Sequence, residues 1–280
     1  MSTESRQDML ERLKKQANLM RYRTMTTLQA AGSGHVGGTM SLAEILSVLY
    51  FHVLRVDPKN HKWPDRDRFV LSKGHASAIL CPVLAEAGFF PKELLSTFNQ
   101  LDSPFSMHPD MLKIPGVEMS TGSLGHGLAV GLGMALAARV RKQDYKTYVL
   151  LGDGELCEGS VWESAMGAAC FGVDNLVAIV DRNQLMVDGP TCAFLDTDSL
   201  AQKWRAFGWA CREIDGHSLE ALVDTFASIP FENGRPSVII ANTVKGKGLP
   251  FAENRVDWHY HAVDQELVNQ CRAILGVDEP

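Results

Sequence analysis

The sequence lacks the features of a disulfide-bonded, membrane-bound or secreted protein. Its six cysteines include no CxxC pair, the usual mark of a metal or redox centre. No apolar run is long enough to span a membrane, because His126 and four glycines interrupt the longest one, at positions 124–140. Charged residues are frequent through the first 23 positions, so a signal peptide is not expected there. We therefore expect a cytoplasmic protein with no membrane partner.

Basic residues are too few and too scattered for a nucleic-acid-binding surface. Lysine and arginine total 27 against 33 aspartates and glutamates, a net charge of -6, whereas a phosphate backbone calls for a clustered basic face. Hydrophobic residues make up 45% of the chain, as in ordinary soluble proteins. We expect no nucleic-acid partner, and one domain over residues 1–280, since this length suits one large core better than two small ones.

Short apolar stretches alternate with helical patterns along the chain. Strands are predicted at 68–72, 147–151, 175–180 and 238–241, and helices at 5–30, 76–87, 125–139, 161–171 and 219–227. Ser41-x-x-Glu44 predicts a further helix, because it has the form of a capping box with reciprocal hydrogen bonds. Strands that alternate with helices indicate a parallel sheet covered on both faces. The predicted fold class is therefore α/β, a three-layer sandwich with a mainly parallel sheet.

One glycine pattern matches the dinucleotide-binding fingerprint but lacks its context. Gly32-x-Gly34-x-x-Gly37 has the required spacing. The fingerprint needs a strand before it and a helix after it, with an acidic residue at the end of a second strand. Here a helix precedes the glycines and no such acid is suitably placed, so we reject this interpretation.

A more specific pattern begins where the strand at 147–151 ends. Gly152-Asp153-Gly154 lies at the carboxyl edge of the predicted sheet, where parallel sheets bind ligands. Asn183 follows the next strand, so a carboxylate and an amide oxygen should lie side by side, and Leu185 can add its carbonyl. With two diphosphate oxygens and a water, these would complete the octahedral shell of Mg2+. The helix predicted from about Glu158 would offer N–H groups to phosphate.

This pattern resembles the motif of thiamine-diphosphate enzymes, and further stretches narrow the resemblance to the transketolase family. They are Ser33-Gly34-His35, Phe69 to His75, Met107-His108-Pro109 with Pro115 to Gly125, and Val244 to Gly248 with Trp258-His259. The match runs in family order from about residue 10 to 265. It implies the thiamine-diphosphate-binding fold and transfer of a two-carbon ketol unit from a ketose or its phosphate to an aldose or its phosphate.

The resemblance also implies the cofactors, thiamine diphosphate and Mg2+, and the residues that hold them. The implied sets are the magnesium ligands Asp153, Asn183 and Leu185, the cofactor contacts His75, Gly122, Leu124, Gly154, Asn183, Lys245 and His259, and the catalytic residues His35, His108 and His259. We expect His35 and His259 to handle protons, since imidazoles near their ordinary pKa suit both acid and base roles. The other histidines, at 52, 61, 126, 217 and 261, are interpreted as structural.

A complete member of this family has further domains after this one, whereas this sequence stops at Pro280. The missing pyrimidine-binding domain carries the glutamate that activates the cofactor, and no glutamate here matches it. We therefore expect the N-terminal subunit of a split enzyme, inactive without a C-terminal subunit, in an α2β2 assembly; a truncated chain is the alternative. The small-residue helix at 125–138 fits a subunit interface or tight packing on its own sheet.

Other functions stay open at this point. The chain could be half of another thiamine-diphosphate enzyme, such as deoxyxylulose-phosphate synthase, although the histidine-containing motifs favour transketolase. It could also be a catalytically silent scaffold subunit, although such subunits usually lose their metal ligands and Asp153 and Asn183 are present. A zinc site at His259-Tyr260-His261 would need a third ligand that the sequence does not indicate.

Overall fold

The computed structural model describes residues 4–195 and 199–278. Helices and strands alternate through most of this chain. The helices are α1 (Arg6–Ala31), α2 (Gly37–Met40), α3 (Ala43–Val48), α4 (Ser77–Glu86), α5 (Gly127–Arg141), α6 (Gly159–Cys170), α7 (Leu200–Ala206), α8 (Leu219–Ala227) and α9 (Gln265–Leu275); the strands are β1 (Ser33–Gly34), β2 (Arg68–Leu71), β3 (Thr147–Gly152), β4 (Leu176–Arg182), β5 (Ala210–Asp215), β6 (Ser237–Asn242) and β7 (His261–Ala262). β1 and β7 form a separate antiparallel pair.

The strands β2 to β6 form one parallel sheet in the order β2-β3-β4-β6-β5. The four strands predicted from the sequence correspond to β2, β3, β4 and β6, which are buried along nearly their whole length. Burial on both faces explains why these strands are continuous apolar runs without alternation. The edge strand β5 escapes prediction because Arg212 and Glu213 are exposed and interrupt its apolar pattern.

Alternate side chains of the sheet enter two hydrophobic clusters, one on each face. In β3, Tyr148 and Leu150 pack in the cluster that contains α1, α3, α4, α8 and α9. Val149 and Leu151 point the other way, into the cluster that contains α5, α6 and α7. The predicted three-layer α/β sandwich with a mainly parallel sheet is therefore confirmed. No helix of the described residues is both long and apolar enough to cross a membrane.

The helix rich in small residues, α5, packs tightly on the sheet along one side. A Cβ added to Gly131 would lie 2.3 Å from Val149 Cγ2, so only glycine allows this approach. A Cβ at Gly133 would meet nothing within 4 Å, and Val130 is exposed nearby. One side of α5 thus packs on its own sheet, while the other presents an open apolar surface.

The predicted capping box at Ser41 and Glu44 is wrong. α3 begins at Ala43, its N-cap residue is Leu42, and no side chain caps it. Ser41 Oγ instead donates to a buried aspartate, Asp181, at 2.8 Å. Glu44 bonds with residues far away in the sequence rather than with its own helix terminus. Both side chains match the local motif, but buried partners from other elements take their hydrogen bonds.

Glu44 lies at the centre of a buried polar cluster between α1, α3 and the turn after β5. Arg21 donates to both of its carboxylate oxygens, at 2.7 and 2.6 Å, and His217 Nδ1 lies 2.9 Å from Oε2. Burial alone raises the pKa of Glu44, but the charge of Arg21 and the bond to His217 outweigh it and lower the pKa from 4.5 to about 2. Glu44 is therefore ionised at neutral pH and stabilises the folded chain.

We expect Glu44→Gln to lower the free energy of unfolding at pH 7 by roughly 3 kcal/mol, because a folded pKa below the unfolded one stabilises the charged form. This stabilisation is complete above the unfolded pKa of 4.5 and is lost as pH falls towards the folded value of about 2. Urea unfolding should therefore show the same difference between wild type and variant at about pH 7 and 5, and a smaller difference at about pH 3.5.

Glu4→Gln is the matched control, because Glu4 pairs with Arg12 at 2.8 Å on the surface and is 43% exposed. An exposed ion pair of this kind contributes little to stability, because water and salt screen it. A destabilisation by Glu44→Gln that stays constant from neutral to acidic pH would argue against an ionised, paired Glu44.

Candidate active site

The carboxyl ends of four parallel strands meet at one edge of the sheet. The segments that follow β2, β3, β4 and β6 line a cavity of about 270 Å³, together with residues from the loops before α2, α5 and α9. The site residues predicted from the sequence, His35, His75, His108, Gly122, Leu124, Asp153, Gly154, Asn183, Leu185, Lys245 and His259, all lie in its wall. Positions distant in the sequence therefore converge because parallel strands all end at the same edge.

Four histidine rings surround one part of the cavity. The ring centroid of His35 lies 5.1 Å from that of His75, 6.3 Å from His108 and 5.4 Å from His259. The β1–β7 pair accounts for one of these distances, because it joins Gly34 to His261 and so brings His35 beside His259. The cluster can surround a small polar molecule with several imidazole groups.

Burial and neighbouring positive charge lower the pKa of three of these histidines. The pKa of His35 falls to about 4, mainly through burial and the proximity of His108 and Lys73. The pKa of His259 falls to about 3 through burial and the charge of Lys245, and the pKa of His75 lies well below its usual value for similar reasons. The expectation that His35 and His259 titrate near their ordinary pKa is therefore wrong, and both imidazoles are neutral at neutral pH.

The lysine predicted to touch the cofactor, Lys245, is only 1% exposed. Its Nζ lies 2.9 Å from His259 Nδ1 and donates to the Leu185 carbonyl at 3.0 Å. Burial, followed by the charge of Lys73, lowers the pKa of Lys245 to about 8. Because an ammonium group only donates, His259 Nδ1 must accept, and the proton of neutral His259 resides on Nε2.

Asp153 and Asn183 come together at the ends of β3 and β4, as predicted. Asp153 is 4% exposed, and its carboxylate accepts from the backbone N–H of Gly154 at 2.9 Å and from that of Gln184. Asn183 Oδ1 accepts from Leu185 N at 3.1 Å. Burial and the nearby charge of Asp181 raise the pKa of Asp153 to about 6. Three oxygen donors of the kind Mg2+ prefers are therefore neighbours here: a carboxylate, an amide and a backbone carbonyl.

Asp181, at the end of β4, was not predicted as a site residue but connects the others. It is fully buried and pairs with Lys73 Nζ at 2.6 Å. Asn183 Nδ2 also donates to it at 3.1 Å, and Thr243 donates to its other oxygen. Because the amide nitrogen of Asn183 is held by Asp181, its oxygen faces away from that carboxylate. Asp181 thus sets the orientation of Asn183.

Glu155 is a third buried carboxylate at the cavity, after Asp153 and Asp181. It is 2% exposed, and burial raises its pKa. It accepts from Ser72 Oγ, from Gly125 N at 2.9 Å and from Gly152 N at 3.1 Å. Glu155 thereby ties the ends of β2 and β3 to the loop that carries Leu124.

Sequence reasoning missed Lys73, Asp181 and Glu155, although each lies within or next to a quoted motif. Lys73 is inside the stretch that ends at His75, Asp181 comes two positions before Asn183, and Glu155 directly follows Gly154. A signal was available, because a charged residue at the end of an apolar buried strand needs a partner.

The donor set fits a hard divalent cation. Among the described residues no lysine or arginine forms an ion pair with Asp153, so a bound cation could neutralise its buried carboxylate. The described residues contain no group of three His, Cys, Asp or Glu side chains placed to hold a metal. His261 stacks on Trp258 with ring centroids 4.0 Å apart, which suits a packing role. A cation held here would thus have one carboxylate ligand, with neutral oxygens as the others.

The cavity also fits an anionic group such as a diphosphate. Lys73 and Lys245 both line it, and among the described residues no carboxylate forms an ion pair with Lys245. The helix predicted from about Glu158 is present as α6, which begins at Gly159 with Glu158 as its N-cap residue. A short 3-10 turn, Gly154–Cys157, lies between Asp153 and this helix. The turn, rather than α6, lines the cavity.

Comparison with known proteins identifies a family and several relatives of this chain. The family model of the transketolase thiamine diphosphate binding domain matches residues 13–280. The chain is 43% identical over 251 residues to an apulose-4-phosphate transketolase subunit of Phocaeicola vulgatus, a match that covers 90% of this chain and 89% of that protein. It is 42% identical over 255 residues to 6-deoxy-6-sulfo-D-fructose transketolase subunit SqwG of a Clostridium species, with 91% and 93% covered.

Longer transketolases match as well, over part of their length. The human enzyme is 40% identical over 265 residues, which are 94% of this chain but 42% of that protein. The crystal structure of Campylobacter jejuni transketolase superposes with a TM-score of 0.89 at 33% identity and covers 96% of this chain and 43% of that one. The chain thus spans less than half of these enzymes. On this sequence and structural similarity, the chain belongs to the transketolase family and carries its thiamine-diphosphate-binding domain.

Proposed function

We propose that this chain is the thiamine-diphosphate- and Mg2+-binding subunit of a two-subunit transketolase. The enzyme would transfer a two-carbon ketol unit from a ketose or ketose phosphate to an aldose or aldose phosphate. The observation that carries the proposal is a single cavity in which four histidines and two lysines lie beside Asp153 and Asn183. Residues 1–280 would act as one domain.

The oxygen donors at the ends of β3 and β4 would hold the metal. Asp153, the Asn183 amide oxygen and the Leu185 carbonyl are its ligands in this proposal. The Leu185 carbonyl accepts from Lys245 Nζ at 3.0 Å, and a cation on the same oxygen would repel that ammonium group. Lys245 would then leave the Leu185 carbonyl and pair with the diphosphate. Lys73 would keep its ion pair with Asp181. Gly122, Leu124, His75 and Gly154 would complete the cofactor contacts.

Thiamine diphosphate, when bound, supplies the carbanion chemistry of ketol transfer. The protein has to orient the sugar and accept or return the proton of a sugar hydroxyl. His35 and His259 are neutral, so each has a lone pair or an N–H available to a hydroxyl. Among the described residues, His35 Nδ1 is buried without a hydrogen-bond partner. We assign His35, His108 and His259 to proton handling and substrate orientation.

The partner would be a C-terminal subunit with a pyrimidine-binding domain. Two relatives that match along most of their length are named as transketolase subunits, and the chain spans less than half of the single-chain enzymes. Apolar side chains of this chain are exposed: Val187 beside the cavity, Val130 on α5 and Met166 on α6. Such surface is suited to burial against another polypeptide. We propose an α2β2 assembly in the cytoplasm.

Asp153→Asn should weaken Mg2+-dependent binding of thiamine diphosphate by more than about 100-fold, because it removes the one charged ligand while keeping the side-chain shape. The fold should persist, since an amide oxygen can still accept one of the two backbone N–H bonds. Isothermal titration calorimetry of thiamine diphosphate with MgCl2 measures the change, and thermal unfolding checks the fold.

Asp188→Asn provides the matched control. It makes the same change of charge on the loop that carries Leu185, at an exposed position. Its cofactor affinity should stay near the wild-type value. Wild-type affinity in Asp153→Asn would disprove the metal assignment.

The purified chain alone should show no ketol transfer, because the glutamate that activates the cofactor is expected on the partner. We expect activity to appear only when the product of the neighbouring gene is added, with thiamine diphosphate and Mg2+. The assay measures aldose release from a panel of ketoses and ketose phosphates. Turnover by the chain alone would contradict the split-enzyme proposal.

Two further outcomes of the mixture are informative. Loss of CO2 from pyruvate, without ketol transfer, would point to deoxyxylulose-phosphate synthesis. Complex formation without cofactor binding would indicate a silent scaffold subunit. Size-exclusion chromatography with light scattering gives the stoichiometry, and a 1:1 complex with two copies of each chain is expected.

A further inference from the structure

His217 lies outside the cavity, yet it contacts the backbone of the loop that carries Lys245. It follows β5, and its ring is enclosed between α3 and the segment after β6. Val244 N donates to His217 Nε2 at 2.8 Å, and Glu44 Oε2 lies 2.9 Å from Nδ1. His217 therefore links α3 to the residue that immediately precedes Lys245.

These two bonds determine the tautomer of His217. A backbone N–H only donates, so Nε2 has to be the unprotonated nitrogen. Glu44 is ionised and accepts, so Nδ1 carries the proton. One neutral tautomer satisfies both partners. The ring donates from Nδ1 to Glu44 and accepts at Nε2 from Val244, and so forms a bridge between them.

The other end of the bridge is held firmly. Arg21 on α1 is 2% exposed and donates to both oxygens of Glu44 and to the Met40 carbonyl at 3.3 Å. α1 and α3 both belong to the hydrophobic core on this face of the sheet. Through Glu44 and Arg21, the position of His217 is thus fixed relative to the hydrophobic core.

The loop at 244–248 has little freedom to absorb a shift at Val244. Gly246 N donates to Gly37 O at 2.9 Å, and Asn254 N donates to Lys245 O at 2.8 Å. Gly246 has φ +80°, and a Cβ there would lie 2.3 Å from Ala252 O. A displacement of Val244 should therefore move Lys245, whose Nζ contacts both His259 and Leu185.

We propose that His217 is a positioning residue that places Lys245 for the cofactor diphosphate and for His259. The inference rests on the proposed function, in which Lys245 pairs with the diphosphate. It changes the interpretation of His217 from a structural histidine to one that acts on the site through the backbone of Val244.

Two substitutions separate the bonds of His217. His217→Gln can place an acceptor near Nε2 and keep the bond from Val244, but it loses the bond to Glu44. His217→Asn can keep a donor near Nδ1 for Glu44, but it is too short to reach Val244. A positioning role predicts that cofactor affinity falls more in the asparagine variant, which loses the bond from Val244, than in the glutamine variant, which keeps that bond. If His217 acts only by stabilising Glu44, the glutamine variant should lose more free energy of unfolding than the asparagine variant, and cofactor affinity should change in neither.

Hydrogen–deuterium exchange of the full chain tests the link without any cofactor. In His217→Asn, amides of residues 243–249 should exchange at least about 10-fold faster than in the wild type, because the bond that orders Val244 is lost. In His217→Gln the increase should be clearly smaller, because the bond from Val244 is kept. His52→Asn, at an exposed histidine, is the matched control and should change neither measurement.

Calorimetric titration with thiamine diphosphate and MgCl2 tests the consequence for the site. Affinity should fall roughly 10-fold or more in His217→Asn and stay within about 3-fold in His217→Gln, the range for groups that orient a direct contact. Wild-type exchange and affinity in His217→Asn would overturn the inference, as would equal losses in both variants. If the wild type binds no cofactor, the proposed function fails by itself, and the exchange data still decide whether His217 positions the loop.

Discussion

The geometry of the cavity depends on one buried carboxylate, Asp181. Lys73, Ser41, Thr243 and Asn183 all donate to it, so the ends of β2, β4 and β6 and the turn before α3 meet at one group. A buried charge is tolerated only when paired and hydrogen-bonded, and removing one partner of a buried ion pair costs about 3 to 5 kcal/mol. Because the buried charge of Asp181 needs all these hydrogen bonds, the residues that donate them are held in fixed relative positions.

The charge of Lys245, which no carboxylate pairs with directly among the described residues, bears on two properties of the cavity. Asp181 neutralises Lys73, but Lys245 pairs only with neutral groups among the described residues. Its charge, added to burial, lowers the pKa of His259 and keeps that imidazole neutral. An unneutralised ammonium group also favours an anion in the cavity. Burial is the main reason why the histidine pKa values are low, and the charge of Lys245, which adds to this effect, also favours the proposed diphosphate.

Much of the fold could be predicted because its signals are local. The strands β2, β3, β4 and β6 are apolar runs buried on both faces, and motif residues follow each of them. A local motif gave a wrong prediction where residues from other elements form hydrogen bonds with the same side-chain oxygens. Ser41 and Glu44 have capping-box spacing, yet Asp181 takes the serine, while Arg21 and His217 take the glutamate. No pattern near His217 reveals its bond to Val244, because the two are joined only by the fold.

The fold class, the family and most of the residues that line the cavity could be inferred from the sequence alone. These follow from short patterns in order along the chain, and parallel strands necessarily bring their carboxyl ends to one edge. The tertiary structure was needed to establish the protonation of His35 and His259, the orientation of Asn183 and the link from Glu44 to Val244. Those properties depend on burial and on charges contributed by distant segments, and neither burial nor distance in space is encoded in the spacing of a motif.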